Sequence, residues 1–189
     1  MNDTTEILSI PSANVLVIDV EATCSDDESI PGSDMEIIEI GACWVSPGGD
    51  ILDTFQSFVR PVLNETLTTF CKRLTTISQA QVDRAPTFDQ VAPLLHTFAL
   101  AHLETQSIWA SWGKYDHAQF SHDSKRHAID NPLAHLGHAN LKKIFAKKRK
   151  IKSVGMMGAL RIAGIEHTGE HHRALDDAIN IAKLVQTMT

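Results

Sequence analysis

The run Val15–Val20 is almost continuously apolar and rich in valine and isoleucine. That is the pattern of a strand buried on both faces. Residues 24–35 are polar and include Pro31 and Gly32, so a surface loop follows. Ile37–Val45 reads as a second strand and Ile51–Val59 as a third. The turn residues Pro47-Gly48-Gly49-Asp50 join them, which predicts an antiparallel hairpin. Short helical turns are expected over 64–83. Thr87-Phe88-Asp89-Gln90 has the spacing of a capping box and opens a helix to about His102, with Val91, Leu94, Leu95 and Phe98 on one face. Ser107–Trp112 predicts a fourth strand, and Asp116–Ile129 a helix halted by Asn131-Pro132. A short strand is expected near 135–139 and helices near 140–147 and 153–163. A last helix runs from Ala174 to Met188. Three strands, then helices, then strand–helix alternation predict an α/β fold: one mixed sheet of about five strands with helices on both faces. Residues 1–13 read as a loose leader and 14–189 as a single domain.

Composition agrees with one domain. The chain has 189 residues, of which 43% are hydrophobic and 21% charged. That supports a sizeable core and excludes disordered, collagen-like and coiled-coil classes. Seventeen basic and 23 acidic side chains give a net charge of −6. Coating of nucleic acid through overall positive charge is excluded, although a local basic patch is not. Cys24, Cys43 and Cys71 show neither a disulfide framework nor zinc spacing. Their scarcity suits a reducing compartment, and no signal peptide or membrane span is seen, so the expected location is cytoplasmic.

Three groups of residues carry candidate chemistry. Asp19 and Glu21 end the first strand two positions apart, so they share a face. Paired carboxylates repel, and a hard divalent cation is their natural compensation. Asp116 follows the fourth strand and opens a helix, where an aspartate is also a good cap. In the segment His171-His172-Arg173-Ala174-Leu175-Asp176-Asp177, His172 lies in a loop and Asp177 in the second turn of the last helix. A histidine there could act as a general base beside a metal-binding acid. Other histidines give no defensible ligand set: His117, His122 and His127 are five apart and point around a helix. Cys24 beside these acids is expected to remain a packed thiol. Trp109, Trp112 and Phe120 are expected in the core.

Together these segments resemble the DEDDh class of 3′–5′ exonucleases, with its ribonuclease H-like three-layer fold. The resemblance runs from about Val15 to Leu184. Within that class the chain is most similar to the branch of histone-mRNA and small-RNA 3′ exonucleases and bacterial sporulation-inhibitor exonucleases. It rests on Asp19-Val20-Glu21-Ala22-Thr23-Cys24, Glu36-Ile37-Ile38-Glu39-Ile40-Gly41-Ala42, Phe58-Val59-Arg60-Pro61, Phe70-Cys71-Lys72-Arg73-Leu74-Thr75, Ser111-Trp112-Gly113-Lys114-Tyr115-Asp116 and His172-Arg173-Ala174-Leu175-Asp176-Asp177.

The resemblance implies that Asp19, Glu21, Asp116 and Asp177 bind two divalent metal ions, Mg²⁺ or Mn²⁺, and that His172 is the catalytic histidine. His171 and Asp176 break the family spacing and are expected only to support these groups. The implied reaction is hydrolysis of single-stranded RNA or DNA from its 3′ end to nucleoside 5′-monophosphates, with RNA favoured. No membrane partner is expected. Thr23, Phe70 and Tyr115 are candidate contacts for the terminal nucleotide. The basic stretch Lys142, Lys143, Lys147, Lys148, Arg149, Lys150 and Lys152 is a candidate backbone track, with Lys147 and Arg149 the leading contacts. Two alternatives are a DNA proofreading or repair exonuclease and an exonuclease-fold regulator acting through protein contacts.

Overall fold

The computed structural model describes Ile7 and residues 9–189. Its centre is a five-stranded sheet built from β1 (Val15–Ala22), β2 (Ile37–Val45), β3 (Ile51–Phe58), β4 (Ile108–Ser111) and β5 (His138–Asn140), in the order β3-β2-β1-β4-β5. The β3-β2-β1 half is antiparallel, and β4 and β5 join it in parallel, so the sheet is mixed. Seven helices complete the described chain: α1 (Thr69–Thr75), α2 (Gln79–Asp83), α3 (Phe88–Ala101), α4 (Tyr115–Arg126), α5 (Leu141–Arg149), α6 (Met156–Ala163) and α7 (Ala174–Val185).

The period-two alternation of β1 decides which layer each side chain joins. Val15 and Val17 face α5, α6 and α7, in a cluster with Cys43, Phe145, Ala159, Ala178 and Ile181. Leu16, Ile18 and Val20 face the other layer, where α3 and α4 contribute Val91, Leu95 and Phe120 around Trp44 and Trp109. Helices therefore cover both faces, as the sequence order predicts. Asp19 and Glu21 continue the parity of Val15 and Val17, so they lie on the α7 side. They also project beyond Val17, the last β1 residue paired with β4. This is the carboxyl end of the parallel strands, where open α/β sheets bind ligands.

Two details fix α7 against this end. Gly41 pairs with Asp19 across the β1–β2 ladder. A Cβ on Gly41 would lie 2.1 Å from Ala174 C and 2.1 Å from Leu175 N, so only glycine lets the first turn of α7 lie this close to the sheet. The β1–β2 pairing also shifts at this end: Glu21 pairs with Glu39 and Ala22 with Ile37, so β2 carries one extra residue, Ile38, opposite the acidic end of β1.

Several boundaries differ from the expectation. α4 starts at Tyr115 and stops at Arg126, and α7 stops at Val185. α7 starts at Ala174 as expected, and Asp177, its fourth residue, falls in the first turn rather than the second. Part of the expected leader over 1–13 is described. Ile7 bridges Ala139 of β5, and Ile7 and Ile10 pack on the core because both are apolar. Residues 1–6 and 8 of that leader lie outside the described residues. Among the described residues, no helix is long and apolar enough to cross a membrane. The three cysteines are free thiols.

Candidate active site

β1, α4 and α7 bring Asp19, Glu21, Asp116, His172 and Asp177 to one cleft of about 470 Å³, also walled by Met35, Leu74, Trp112, Tyr115 and Met156. Asp116 does not cap α4. Its carboxylate turns to the sheet and accepts the Val20 N–H at 3.2 Å. That bond ties the start of α4 to β1 between the two acids of the strand. His172 has a left-handed backbone, φ 65°, which is uncommon for a side chain of its size. Its N–H donates to Asp177 Oδ2 at 3.0 Å, and its Nδ1 lies 4.0 Å from Glu21 Oε1. Glu21, His172 and Asp177 can each aim one ligand atom within 4.8 Å of the others.

The electrostatics are those of crowded anions. Burial, then the charges of Asp116, Glu21 and Asp177, hold the Asp19 carboxyl well above the ordinary carboxylate range. Burial and the neighbouring Asp177, Glu39 and Asp116 push Glu21 from 4.5 to about 8. Burial raises Asp116 to about 6, even though hydrogen bonds from its own backbone, Ser111 and Val20 act the other way. Histidines lie beside two of these acids: His172 Nδ1 is 4.0 Å from Glu21, and His171 Nδ1 and His167 Nε2 are 2.9 and 3.8 Å from Asp177. Convergent carboxylate oxygens with raised proton affinity are the donor set that hard divalent cations take. The residues fit such ions.

Three acids outside the expected set hold this geometry. Glu39, fully buried in β2, accepts the Arg173 Nε at 3.1 Å, the Arg173 Nη2 at 2.9 Å and the Ala174 N–H at 3.1 Å. It thereby caps α7 and anchors Asp177 and His172. Glu36 accepts the N–H groups of Val62, Leu63 and Asn64 at 2.6–3.0 Å, fixing the segment that leads to α1. Asp123 accepts the Ile37 N–H at 3.0 Å and pairs with Arg126, tying α4 to the start of β2. Acids inside an otherwise apolar strand were the available signal for Glu39. Its partner could be known only from the folded chain.

The expected contact residues divide. Tyr115 lines the cleft, is half exposed, and points its hydroxyl to Met35 Sδ at 3.5 Å. Thr23 is held at the end of β1. It is fully buried, its N–H donates to Glu36 O at 2.8 Å, and its hydroxyl accepts the Glu36 N–H at 2.9 Å. Those bonds close the strand ends and leave its amide engaged. Phe70 stands on α1 one turn before Leu74 of the cleft wall, half-buried, with Arg73 5.8 Å from its ring. Lys147 and Arg149 are exposed near the end of α5, outside the cleft, with Arg149 5.6 Å from the Phe145 ring. Trp112, expected in the core, packs against it half-buried and also forms part of the cleft wall, its Nε1 donating to Val154 O at 3.1 Å. Asp176 faces away, accepting the Glu170 N–H at 2.8 Å. His171 lies nearer to Asp177 than its family spacing suggests, with Nδ1 2.9 Å from Oδ2.

Comparison with known proteins places this arrangement. The family model described as Exonuclease (RNase_T) matches residues 16–185. The chain is 30% identical over 205 residues to the 3′-5′ exonuclease eri1 of Schizosaccharomyces pombe, covering 92% of this chain and 67% of that protein. It is 32% identical over 181 residues to the 3′-5′ exoribonuclease 1 of Homo sapiens, covering 92% of this chain and 52% of that one. The chain thus spans about two thirds of the first relative and about half of the second. The solved nuclease domain of 3′hExo, a DEDDh family member bound to rAMP, superimposes with a TM-score of 0.84 at 30% identity, over 95% of this chain and 93% of that one. That likeness gives the ribonuclease H-like exonuclease fold and, with it, the use of divalent metal. With its four acids and histidine gathered in the cleft of that fold, the chain belongs to the RNase_T exonuclease family.

Proposed function

We propose that this chain is a metal-dependent 3′–5′ exonuclease that acts on single-stranded RNA in preference to DNA and releases nucleoside 5′-monophosphates. The observation that carries this reading is the convergence of Asp19, Glu21, Asp116 and Asp177 from three elements, with His172 at the same cleft wall. The 3′-5′ exoribonuclease name of the human relative and the rAMP bound to the related nuclease domain support RNA.

Asp19, Glu21, Asp116 and Asp177 would hold two Mg²⁺ or Mn²⁺ ions. When bound, such ions activate water and neutralise charge on the scissile phosphate. His172 removes the proton of the attacking water. Burial and the neighbouring His171 lower its pKa while Asp177 pulls the other way, so at neutral pH it is a free base ready to accept. Its bond to Asp177 and its φ hold the ring at the mouth of the acid cluster. Tyr115, half exposed beside Met35, offers a face for the terminal base. The exposed Lys147 and Arg149 precede Gly155 and Met156 of the cleft wall and would guide the incoming strand.

The test uses 5′-labelled single-stranded RNA and matched DNA with Mg²⁺, Mn²⁺ or chelator. The wild-type protein should shorten RNA from the 3′ end faster than DNA. Asp116→Asn and chelator should abolish the ladder, and His172→Ala should slow it by ~10²–10⁴. Metal-independent cleavage, or wild-type turnover by His172→Ala, overturns the reading.

A further inference from the structure

Beside the four-carboxylate cluster lies a second ligand set of different chemistry. His167 Nε2, His171 Nδ1 and a carboxylate oxygen of Asp177 all lie within 4.8 Å of one another. His171 Nδ1 is 2.9 and 3.1 Å from the two Asp177 oxygens, and His167 Nε2 is 3.8 Å from Oδ1. Tetrahedral zinc with bonds of ~2.0–2.1 Å needs its ligand atoms about 3.3 Å apart, and these distances bracket that value. His167 Nε2 is buried and has no hydrogen-bond partner, although it faces Asp177. A buried ring nitrogen without a partner is costly, and a metal bond is one way to satisfy it.

The loop between the two histidines is already fixed. Thr168 N–H donates to Asn180 Oδ1 at 3.1 Å, Asn180 Nδ2 donates to Thr168 O at 2.7 Å, and Lys183 Nζ donates to Thr168 Oγ1 at 2.6 Å. All three anchors lie on the loop and on α7, the helix that carries Asp177. Little ordering remains for a ligand to impose. His171 is exposed, which gives an ion a way in.

We propose that His167, His171 and Asp177 form an inhibitory site for zinc or a similar borderline-soft cation. Two imidazoles and one carboxylate suit Zn²⁺, whereas Mg²⁺ prefers oxygen ligands, so the two classes of ion sort themselves between the neighbouring sets. Zinc binding engages Asp177 and fixes His171, whose ring stacks on His172 at 4.0 Å. Inhibition follows if Asp177 and His172 serve the nuclease as proposed above, and this consequence rests on that reading. The binding itself does not.

The test titrates Zn²⁺ into the full chain in excess Mg²⁺ against a chromophoric chelator. Co²⁺ serves as a spectroscopic probe of tetrahedral coordination. One zinc should bind the wild-type chain with tetrahedral Co²⁺ bands. His167→Ala and His171→Ala should each weaken it about a hundredfold or more, since even groups that only orient ligands are worth 10–100-fold. Asp116→Asn should bind zinc like the wild type. His167→Ala should retain Mg²⁺-supported hydrolysis and lose its sensitivity to zinc. His167→Gln replaces it if the alanine variant melts early. No zinc binding by the wild type, or equal binding by the histidine variants, overturns the proposal. Zinc lost in Asp116→Asn but kept in His167→Ala also overturns it, because the ion then sits in the carboxylate set. If no hydrolysis is found with any metal, the binding experiment still decides this site while the nuclease reading fails separately.

Discussion

Gly41→Ala adds one carbon to the β2 strand, and the site should respond far beyond that atom. The new Cβ would lie 2.1 Å from Ala174 C and Leu175 N and 2.3 Å from Ala174 O. These are main-chain atoms, so no side chain can rotate out of the way. To reach even 3.0 Å the start of α7 must retreat by about 0.9 Å. It is held from the other direction by the Glu39–Ala174 hydrogen bond and by Ala174 and Ala178, both fully buried. Overpacking of this kind destabilises by about 1–3 kcal/mol. The same retreat carries Asp177 and the His172 amide with it. A misplacement of ~1 Å in a catalytic constellation lowers turnover by about 10². Urea unfolding followed by tryptophan fluorescence gives the first quantity, and single-strand RNA hydrolysis at saturating Mg²⁺ the second. Gly158→Ala in α6 is the control. Its Cβ would meet Val154 Cβ at an ordinary 3.4 Å, so the helix should gain up to about 1 kcal/mol with turnover unchanged. A Gly41→Ala protein with stability within about 0.5 kcal/mol of wild type and full turnover would refute the argument.

Glu39→Gln removes the charge from a fully buried acid that pairs with Arg173 and caps α7. It should cost about 2–5 kcal/mol in urea unfolding, and a loss below 1 kcal/mol would show that the pair is dispensable. The pH dependence of the metal-free protein follows from Glu21, raised from 4.5 to about 8 in the folded chain. Between those values the folded state keeps a proton that the unfolded state releases, so stability is fullest below about 4.5 and falls as pH rises through 8; Asp19 and Asp116 act in the same direction. In chelator this acid cluster should lower the melting temperature by on the order of 5–10 °C from pH 5 to 8, with Mg²⁺ reversing the loss at pH 8. A flat profile, or no effect of Mg²⁺, would count against the cluster as a cation site.

The sheet was legible because its strands are short, apolar and punctuated by turns. Val15–Val20, Ile37–Val45 and Ile51–Val59 all became strands, and Thr87 opens α3 as its spacing predicts. The parity of Asp19 and Glu21 was equally legible, since strand geometry alone puts them on one face. The gathering of Asp116, His172 and Asp177 beside them came from resemblance, because nothing local links positions a hundred residues apart. What stayed hidden depends on tertiary pairing. Glu39 looks like one more strand residue until Arg173 meets it. Thr23 looks free to meet a ligand until Glu36 takes its amide. His167 carries no local pattern at all, and only the fold of the loop onto α7 brings it to Asp177.

The way α7 is embedded also governs when this protein can act. The helix packs on β1, β2, β3 and α6, contributes Ala178, Ile181, Ala182, Leu184 and Val185 to the core, and carries Asp177 in its first turn. Detaching it opens the hydrophobic interior and dismantles the acid cluster in one step. A damaged or incompletely folded molecule therefore retains no working cleft. For an enzyme that degrades nucleic acid, that coupling is a built-in safeguard: cutting is confined to intact copies.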